Sequence, residues 1–83
     1  MALPDPVLAY LNDSARRVGT APLREDADLF QAGVLDSFAL VDFLAILEES
    51  SGIEVPDADV NPSNFQTIQE IERYTRERKG QNG

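Results

Sequence analysis

Apolar residues recur at helical spacing in the first stretch of the chain, between a start signal and a stop signal. Asp5 is the predicted N-cap, Pro6 suits the first helical position, and Gly19 is the predicted end. The apolar positions between them are Val7, Leu8, Leu11, Ala15 and Val18. This pattern predicts an amphipathic first helix from about Pro6 to Val18.

A second helix is predicted from Ser37 to Ser50 or Ser51, with Asp36 as its N-cap and Gly52 after it. One face carries a core stripe at the i, i+3, i+4, i+7 positions, Leu40, Phe43, Leu44 and Leu47, which Ile46 widens. The other face carries Phe38, Val41, Asp42, Ala45, Glu48 and Glu49. Because two large apolar residues stand there among acids, we predict a docking patch. The alternative is that the preceding loop covers them.

A long connection, from about Thr20 to Leu35, separates these two helices. A loop of this length in so short a chain is typically functional or held by its own apolar residues. Those residues are Leu23, Leu29, Phe30, Val34 and Leu35.

The remaining segment predicts an extended link, a short helical turn and a last helix. The link is Ile53 to Pro56, and the turn is Asp57 to Val60, capped by Asp57 and closed by Pro62. Thr67 and Glu70 match a capping box that starts the last helix, while residues 80–83 are expected to fray. The apolar face of that helix is Phe65, Ile68, Ile71 and Tyr74. The predicted fold is all-α: one domain over residues 1–83, a small bundle of three main helices plus one short helix.

Composition narrows the function classes. The formal net charge is -8, with twelve acids and three bases in residues 1–60 but three acids and four bases in residues 61–83. Such a field repels nucleic acid and anionic lipid and favours basic partner surfaces, although acidity for solubility alone is the alternative. The chain has no cysteine and no histidine. We therefore expect no metal site and no catalysis of its own.

No part of the sequence has the pattern of a signal peptide or of a membrane span. We therefore expect a cytoplasmic protein, without membrane insertion, that acts as a monomer.

Ser37 is the candidate for chemistry. An Asp-Ser pair at a helix start is more often a cap than a site. Here Asp36 can do the capping, which leaves the Ser37 hydroxyl free at the positive end of the helix dipole, where a phosphate is favoured. No base accompanies the serine, so it is not activated as a nucleophile. Any chemistry at Ser37 therefore needs an attached group.

The surrounding residues resemble the phosphopantetheine attachment region of acyl, peptidyl and D-alanyl carrier proteins. The stretch Asp28-Leu29-Phe30, followed by Gly33-Val34-Leu35-Asp36-Ser37-Phe38, is similar to the family's attachment motif. Downstream, Ile53 to Pro56 and Asn64 to Ile71 resemble the family's link and the start of its last helix. The resemblance covers the chain from about Glu25 to Tyr74.

The resemblance implies that a phosphopantetheinyl transferase, with magnesium, moves the 4'-phosphopantetheine arm of coenzyme A onto Ser37. Loading enzymes would then place acyl or aminoacyl groups on its thiol as thioesters, in specialised polyketide or nonribosomal peptide-type or fatty-acid biosynthesis. The implied recognition residues are Asp36, Phe38, Val41, Asp42, Ala45, Glu48 and Glu49. Fatty-acid carriers commonly have an acid where this chain has Ala39. Phe38 and Asn64-Phe65 are more similar to D-alanyl carriers and to carriers of specialised biosynthesis.

Two other functions stay open on the sequence. One is an unmodified helical interaction module, in which Phe38 and Val41 bind a partner helix and Ser37 is only a helix-terminal residue. The other is a small enzyme with paired carboxylates, such as Asp26 and Asp28.

Overall fold

Four α-helices and one 3₁₀ turn make up the regular structure of the computed structural model, which describes residues 3–20 and 22–82 and, for residues 81 and 82, the backbone alone. The helices are α1 (Asp5–Val18), α2 (Ser37–Ser51), α3 (Pro62–Phe65) and α4 (Ile68–Asn82). The 3₁₀ turn is Asp57–Asp59. The all-α prediction, with three main helices and one short one, is confirmed. In the part of the chain that is described, no helix is long and apolar enough to cross a membrane.

Helix α1 begins one residue before its predicted start. The carbonyl of Pro4 accepts the N-H groups of Val7 at 3.0 Å and Leu8 at 3.1 Å, so Pro4 is the N-cap residue. The prediction that Asp5 is the N-cap is therefore wrong. Asp5 lies inside the first turn, where its negative charge favours the helix dipole. Gly19 ends the helix as predicted.

Helix α2 has its predicted limits, and its apolar stripe faces the core. Phe43 and Leu47 are fully buried, and Leu40, Leu44 and Ile46 are partly buried against the same cluster. The long connection before α2 is held as expected. Its buried residues are Leu29, Val34 and Leu35, and its partly buried residues are Leu23 and Phe30.

The segment between α2 and α4 differs from its prediction. The 3₁₀ turn is preceded by Pro56 and has no side-chain cap, so the prediction that Asp57 caps it is wrong. Pro62 does not close a turn but starts α3, because the first position of a helix needs no N-H donor. Asn61 caps α3, and its side-chain oxygen accepts the N-H of Asn64 at 3.3 Å.

Helix α4 starts with the predicted Thr67 cap, whose hydroxyl accepts the N-H of Glu70 at 3.0 Å. The Glu70 carboxylate pairs with Arg73 and not with the N-H of Thr67, so only one of the two hydrogen bonds of the predicted capping box is formed. The helix continues to Asn82, so fraying is not seen over residues 80–82, and Gly83 lies outside the described residues. Buried Ile71, Tyr74 and Thr75 anchor the preceding turns, from which helical hydrogen bonding propagates.

A row of aromatic rings joins all four helices. The Tyr10 and Phe43 ring centroids are 6.3 Å apart, those of Phe43 and Phe65 are 6.2 Å apart, and those of Phe65 and Tyr74 are 5.3 Å apart. The last two pairs meet edge to face, an arrangement that aromatic quadrupoles favour. This row holds α2 against α1, α3 and α4 and so sets the position of its N-terminus.

Candidate functional site

Ser37 is the first residue of α2 and is exposed, directly after a cap that Asp36 provides. One carboxylate oxygen of Asp36, Oδ1, accepts the N-H groups of Phe38 at 3.0 Å and Ala39 at 2.8 Å. Within the described residues, the Ser37 hydroxyl makes no hydrogen bond. The division of labour predicted from the sequence is therefore present in the geometry: Asp36 caps, and Ser37 presents its hydroxyl to solvent.

The turn before Ser37 is built by Asp28 and Gly33. Asp28 Oδ1 accepts the N-H groups of Phe30 at 3.1 Å and Gln31 at 3.0 Å, an Asx-type turn. Gly33 has φ of 81°, in the left-handed region that favours glycine. The chain then returns, and the N-H groups of Val34 and Leu35 both bond to the carbonyl of Leu29, at 2.9 and 3.0 Å.

The same turn is attached to the start of α4. Asp28 Oδ2 accepts from the Gln66 side chain at 2.8 Å, and the N-H of Leu29 donates to the Gln66 carbonyl at 2.7 Å. The hydrogen bonds from Gln31 and then Gln66 are the main causes that lower the pKa of Asp28. Asp28 is thus a structural carboxylate that stays ionised, and Asp26 lies in an ion pair with Arg24 at 3.3 Å. This arrangement gives no support to the paired-carboxylate enzyme, which needs a group able to exchange protons near neutral pH.

A groove of about 510 Å³ opens beside Ser37, between α2 and the start of α3; we call it the α2–α3 groove. Its lining is mainly apolar: Phe30, Leu35, Asp36, Ser37, Leu40, Val41, Leu44, Val60, Asn61 and Pro62. Sequence reasoning assigned Leu40 and Leu44 to the core and missed Val60, Asn61 and Pro62. The pattern of residues along α2 does not predict a groove, because the opposite wall comes from a segment that is distant in sequence.

A second groove of about 520 Å³, which Asp36 and Phe38 help to line, lies between α1 and α2; we call it the α1–α2 groove. Its residues include Tyr10, Arg17 and Val18 of α1 and Asp42 of α2. The Tyr10 hydroxyl donates to the Ala39 carbonyl at 3.2 Å, which joins the two walls. Burial, and next the nearby Asp42 carboxylate, raise the pKa of Tyr10, so the hydroxyl stays a donor.

Most of the predicted recognition residues lie on the accessible face of α2. Phe38 is 88% exposed and Val41 is 68% exposed, so the long loop does not cover them. Asp42, Ala45 and Glu49 are also exposed. Glu48 is different, because it is half-buried and its Oε2 accepts the N-H of Val55 at 2.8 Å. The placement of Glu48 on a fully exposed face is therefore corrected.

No group of three or more acidic residues in the described part of the chain is placed to hold a metal ion. The site consists instead of one exposed hydroxyl that lines the α2–α3 groove, a cap residue, Asp36, that lines both grooves, and two exposed apolar side chains, Phe38 and Val41.

Comparisons with known proteins found similar sequences and a similar structure. The family model described as a phosphopantetheine attachment site matches residues 11–75. The D-alanyl carrier proteins of Streptococcus pyogenes serotypes M5 (strain Manfredo) and M1 are 39% identical over 46 residues, which is 55% of this chain. The match spans 58% of the length of these relatives.

A solved structure is also similar. It is the crystal structure of engineered Bradyrhizobium japonicum glycine:[carrier protein] ligase complexed with carrier protein from Agrobacterium tumefaciens and ATP. The similarity has a TM-score of 0.61 and 32% identity and covers 84% of this chain and 96% of the matched chain.

Proposed function

This chain belongs to the phosphopantetheine attachment family of carrier proteins, and from that premise we propose that Ser37 is its attachment residue. The cofactor is a covalently attached 4'-phosphopantetheine. When bound, this group supplies the thiol that the chain lacks, on which an acyl or aminoacyl cargo is held as a thioester. The chain itself has no catalytic role in this proposal and acts as a monomeric, cytoplasmic carrier.

One observation carries the choice of Ser37: the exposed hydroxyl follows a cap that is already complete. Because Asp36 Oδ1 takes both the Phe38 and Ala39 N-H groups, the Ser37 side chain is not needed to start the helix. A phosphodiester on that oxygen would lie at the positive end of a 15-residue helix, where a negative charge is stabilised by about 0.3 to 1 kcal/mol. The Asp36 charge partly offsets this gain.

The α2–α3 groove fits the chemistry of the attached arm. Ser37 and Asn61 lie at its polar positions, and Leu40, Val41, Leu44 and Val60 give it an apolar lining. A flexible chain with amide groups and methylenes suits such a mixed surface. The residues present therefore fit the group that the family carries.

The exposed face of α2 supports a docking role toward the enzymes that act on this chain. Phe38 and Val41 would contact an apolar patch on the partner, and Asp42 and Glu49 would meet its bases. Exposed ion pairs contribute about 0 to 1 kcal/mol each, so the acids act on encounter and specificity more than on affinity. The proposed partners are a phosphopantetheinyl transferase and a loading enzyme.

An amino acid is the cargo class that we favour. The similar proteins include D-alanyl carriers and a carrier in complex with a glycine ligase. Their names apply to those proteins, and for this chain they support an aminoacyl cargo over a fatty acyl one.

The test is intact mass after incubation with coenzyme A, magnesium and a broad-specificity phosphopantetheinyl transferase. We expect the wild type to gain one phosphopantetheine and Ser37→Ala to gain none. Ser50→Ala is the matched control, since Ser50 is an exposed serine on the same helix, and it should be modified like wild type.

Two results would contradict the proposal. If Ser37→Ala still gains the mass, the site is wrong. If the wild type gains none while a known carrier is modified in parallel, the unmodified interaction module becomes the better description.

A further inference from the structure

Every large apolar side chain that is exposed in the described part of the chain lines one of the two grooves that meet at Asp36, the residue before Ser37. Val41 and Val60 line the α2–α3 groove, whereas Phe38 and Val18 line the α1–α2 groove. Val18, at the end of α1, is 47% exposed. Apolar surface gathered at one place, rather than scattered, is typical of an interaction site. The apolar surface around Ser37 thus extends beyond α2 onto α1.

The α1–α2 groove also has an uneven distribution of charge. Among the described residues that line it, Arg17 is the one base, on the α1 wall, whereas Asp36 and Asp42 are on the α2 wall. The groove therefore has one positive and one negative wall, and the exposed side chains of Val18 and Phe38 also line it.

Arg17 differs from the other bases in the first sixty residues. Arg16 pairs with Asp13, and Arg24 pairs with Asp26. Arg17 Nη2 donates to the neutral Ser14 hydroxyl at 3.1 Å, and no carboxylate within residues 3–20 or 22–82 forms an ion pair with it. Its charge is thus available to an anion from outside the chain.

We propose that the α1–α2 groove is a second docking surface for the loading enzyme, beside the exposed face of α2. The occupant is a segment of an amino-acid-loading ligase that presents an apolar side chain to Val18 and Phe38 and a carboxylate to Arg17. A base on the same segment would face Asp42. This inference rests on the proposed carrier function and names the part of the surface that selects the loading enzyme.

Charge complementarity supports this occupant. Residues 1–60 hold twelve acids and three bases, so a partner that is basic throughout would be attracted anywhere on this half of the chain. A partner with one carboxylate opposite Arg17 is attracted in one orientation only. Charges arranged in this way determine the register of docking more than its strength.

Arg17 is also in the last turn of α1, where a base favours the helix dipole. A role limited to the dipole predicts that charge reversal lowers thermal stability and leaves docking unchanged. A docking role predicts in addition that charge reversal raises the KM for the carrier. The experiment therefore measures both properties on the same variants.

The variants are Arg17→Glu, Arg17→Gln and Val18→Ser, with Arg76→Glu as the matched control. Arg76 is an exposed base on α4, outside both grooves, and its reversal changes the net charge by the same amount. Each protein is first modified to completion and checked by intact mass. The probe is the Bradyrhizobium japonicum glycine:[carrier protein] ligase with glycine and ATP, and the initial loading rate is measured against carrier concentration.

For Arg17→Glu we expect KM for the carrier to rise about tenfold with kcat unchanged, which corresponds to about 1.4 kcal/mol of lost binding. Arg17→Gln and Val18→Ser should show smaller increases, and Arg76→Glu should match wild type. The thermal midpoint of Arg17→Glu should fall slightly, because a favourable base at the end of α1 is lost, but every variant should remain folded at the assay temperature.

Three results would overturn the inference, and each is distinguishable from failure of the carrier function. Wild-type KM in Arg17→Glu excludes a docking role for this groove, as does an equal rise in Arg76→Glu. A fully modified wild type that the ligase does not load excludes this class of occupant. If the wild type is not modified at Ser37 at all, the carrier function fails, and the inference fails with it.

Discussion

At the residue scale, three consecutive residues divide the work at the start of α2. The Asp36 carboxylate takes the two N-H groups that a cap must satisfy, and Ser37 is left with an exposed hydroxyl. Phe38 turns outward, because the stripe that faces the core begins further along the helix, and Phe43 is its first fully buried residue. Removal of the Phe38 ring and removal of the Phe43 ring should therefore have different effects on stability.

We predict that Phe38→Ala leaves helix content and thermal stability nearly unchanged but weakens turnover by a partner enzyme. The side chain is 88% exposed, so little packing is lost. Phe43→Ala is the contrasting variant, and burial of its whole ring predicts a loss of about 3 to 5 kcal/mol in unfolding free energy. Circular dichroism during thermal and urea unfolding measures the helix content and stability of both variants, and the initial rate of loading by the partner enzyme measures turnover. A large loss of stability in Phe38→Ala would assign that ring to the core.

At the element scale, α4 holds the segment that forms the far wall of the α2–α3 groove. The Tyr74 hydroxyl donates to Asp59 Oδ2 at 2.7 Å, and the Arg78 side chain donates to the Glu54 carbonyl at 3.2 Å. From the other side, Glu48 of α2 accepts the N-H of Val55. Two helices thus position the short 3₁₀ turn, which has no cap of its own.

We predict that Tyr74→Phe loosens residues 57–61 while the rest of the bundle stays folded. The ring and its contact with Phe65 remain, and only the hydrogen bond to Asp59 is lost, at a cost of about 1 kcal/mol. Hydrogen exchange should become faster in this segment. Tyr10→Phe is the matched control, since it removes a tyrosine hydroxyl elsewhere and should leave exchange in residues 57–61 as in wild type.

The same hydroxyl predicts a pH dependence. Burial first, and then the hydrogen bond to Asp59, raise the pKa of Tyr74. The unfolded chain releases this proton from about pH 10, while the folded chain retains it. The stability that the hydroxyl provides is therefore complete below about pH 10 and is lost as the pH rises through the folded pKa. Urea unfolding at increasing pH should show this decline in wild type and a weaker one in Tyr74→Phe.

At the scale of the whole molecule, hydrogen bonds attach the long connection to the residues at the start of α4. The same connection leads directly into Ser37, so its attachment affects the position of that serine. The Gln69 N-H donates to the Glu25 carbonyl at 3.2 Å, and Gln66 bonds to both Asp28 and Leu29. Asp28 is at the centre of these contacts. Its ionisation state should therefore affect the molecule as a unit.

We predict that acid weakens the fold partly through Asp28. Hydrogen bonds to its carboxylate lower the pKa in the folded state, so the stability they provide is present above the ordinary pKa of about 3.9. That stability is lost as the pH falls through the lower, folded value. In Asp28→Ala, the unfolding free energy should fall less steeply as the pH is lowered. Asp26→Ala is the control, since it removes an exposed carboxylate close in sequence, and it should keep the wild-type dependence. Equal effects of the two substitutions would contradict the assignment.

The sequence by itself determined the elements whose signals are local. Asp36, Gly52 and the apolar period between them predicted α2 from Ser37 to Ser50 or Ser51, and its end is Ser51. The hydroxyl of Ser37 is a candidate because its neighbour Asp36 can do the capping. The sequence of residues 57–65 allowed two interpretations, because a proline such as Pro62 can end one helix or start the next. In the structure Pro62 starts α3, and Phe65 of that helix packs against Phe43 and Tyr74.

The tertiary structure alone decided which side chains meet. Glu48 is on the predicted face of α2, but the link after that helix returns and gives its carboxylate a backbone partner. Both grooves have walls from segments that are distant in sequence, so periodicity within one helix does not reveal them. Local hydrogen bonding and helical periodicity determine where α2 and Ser37 are in the chain, whereas long-range packing determines which surface surrounds that serine.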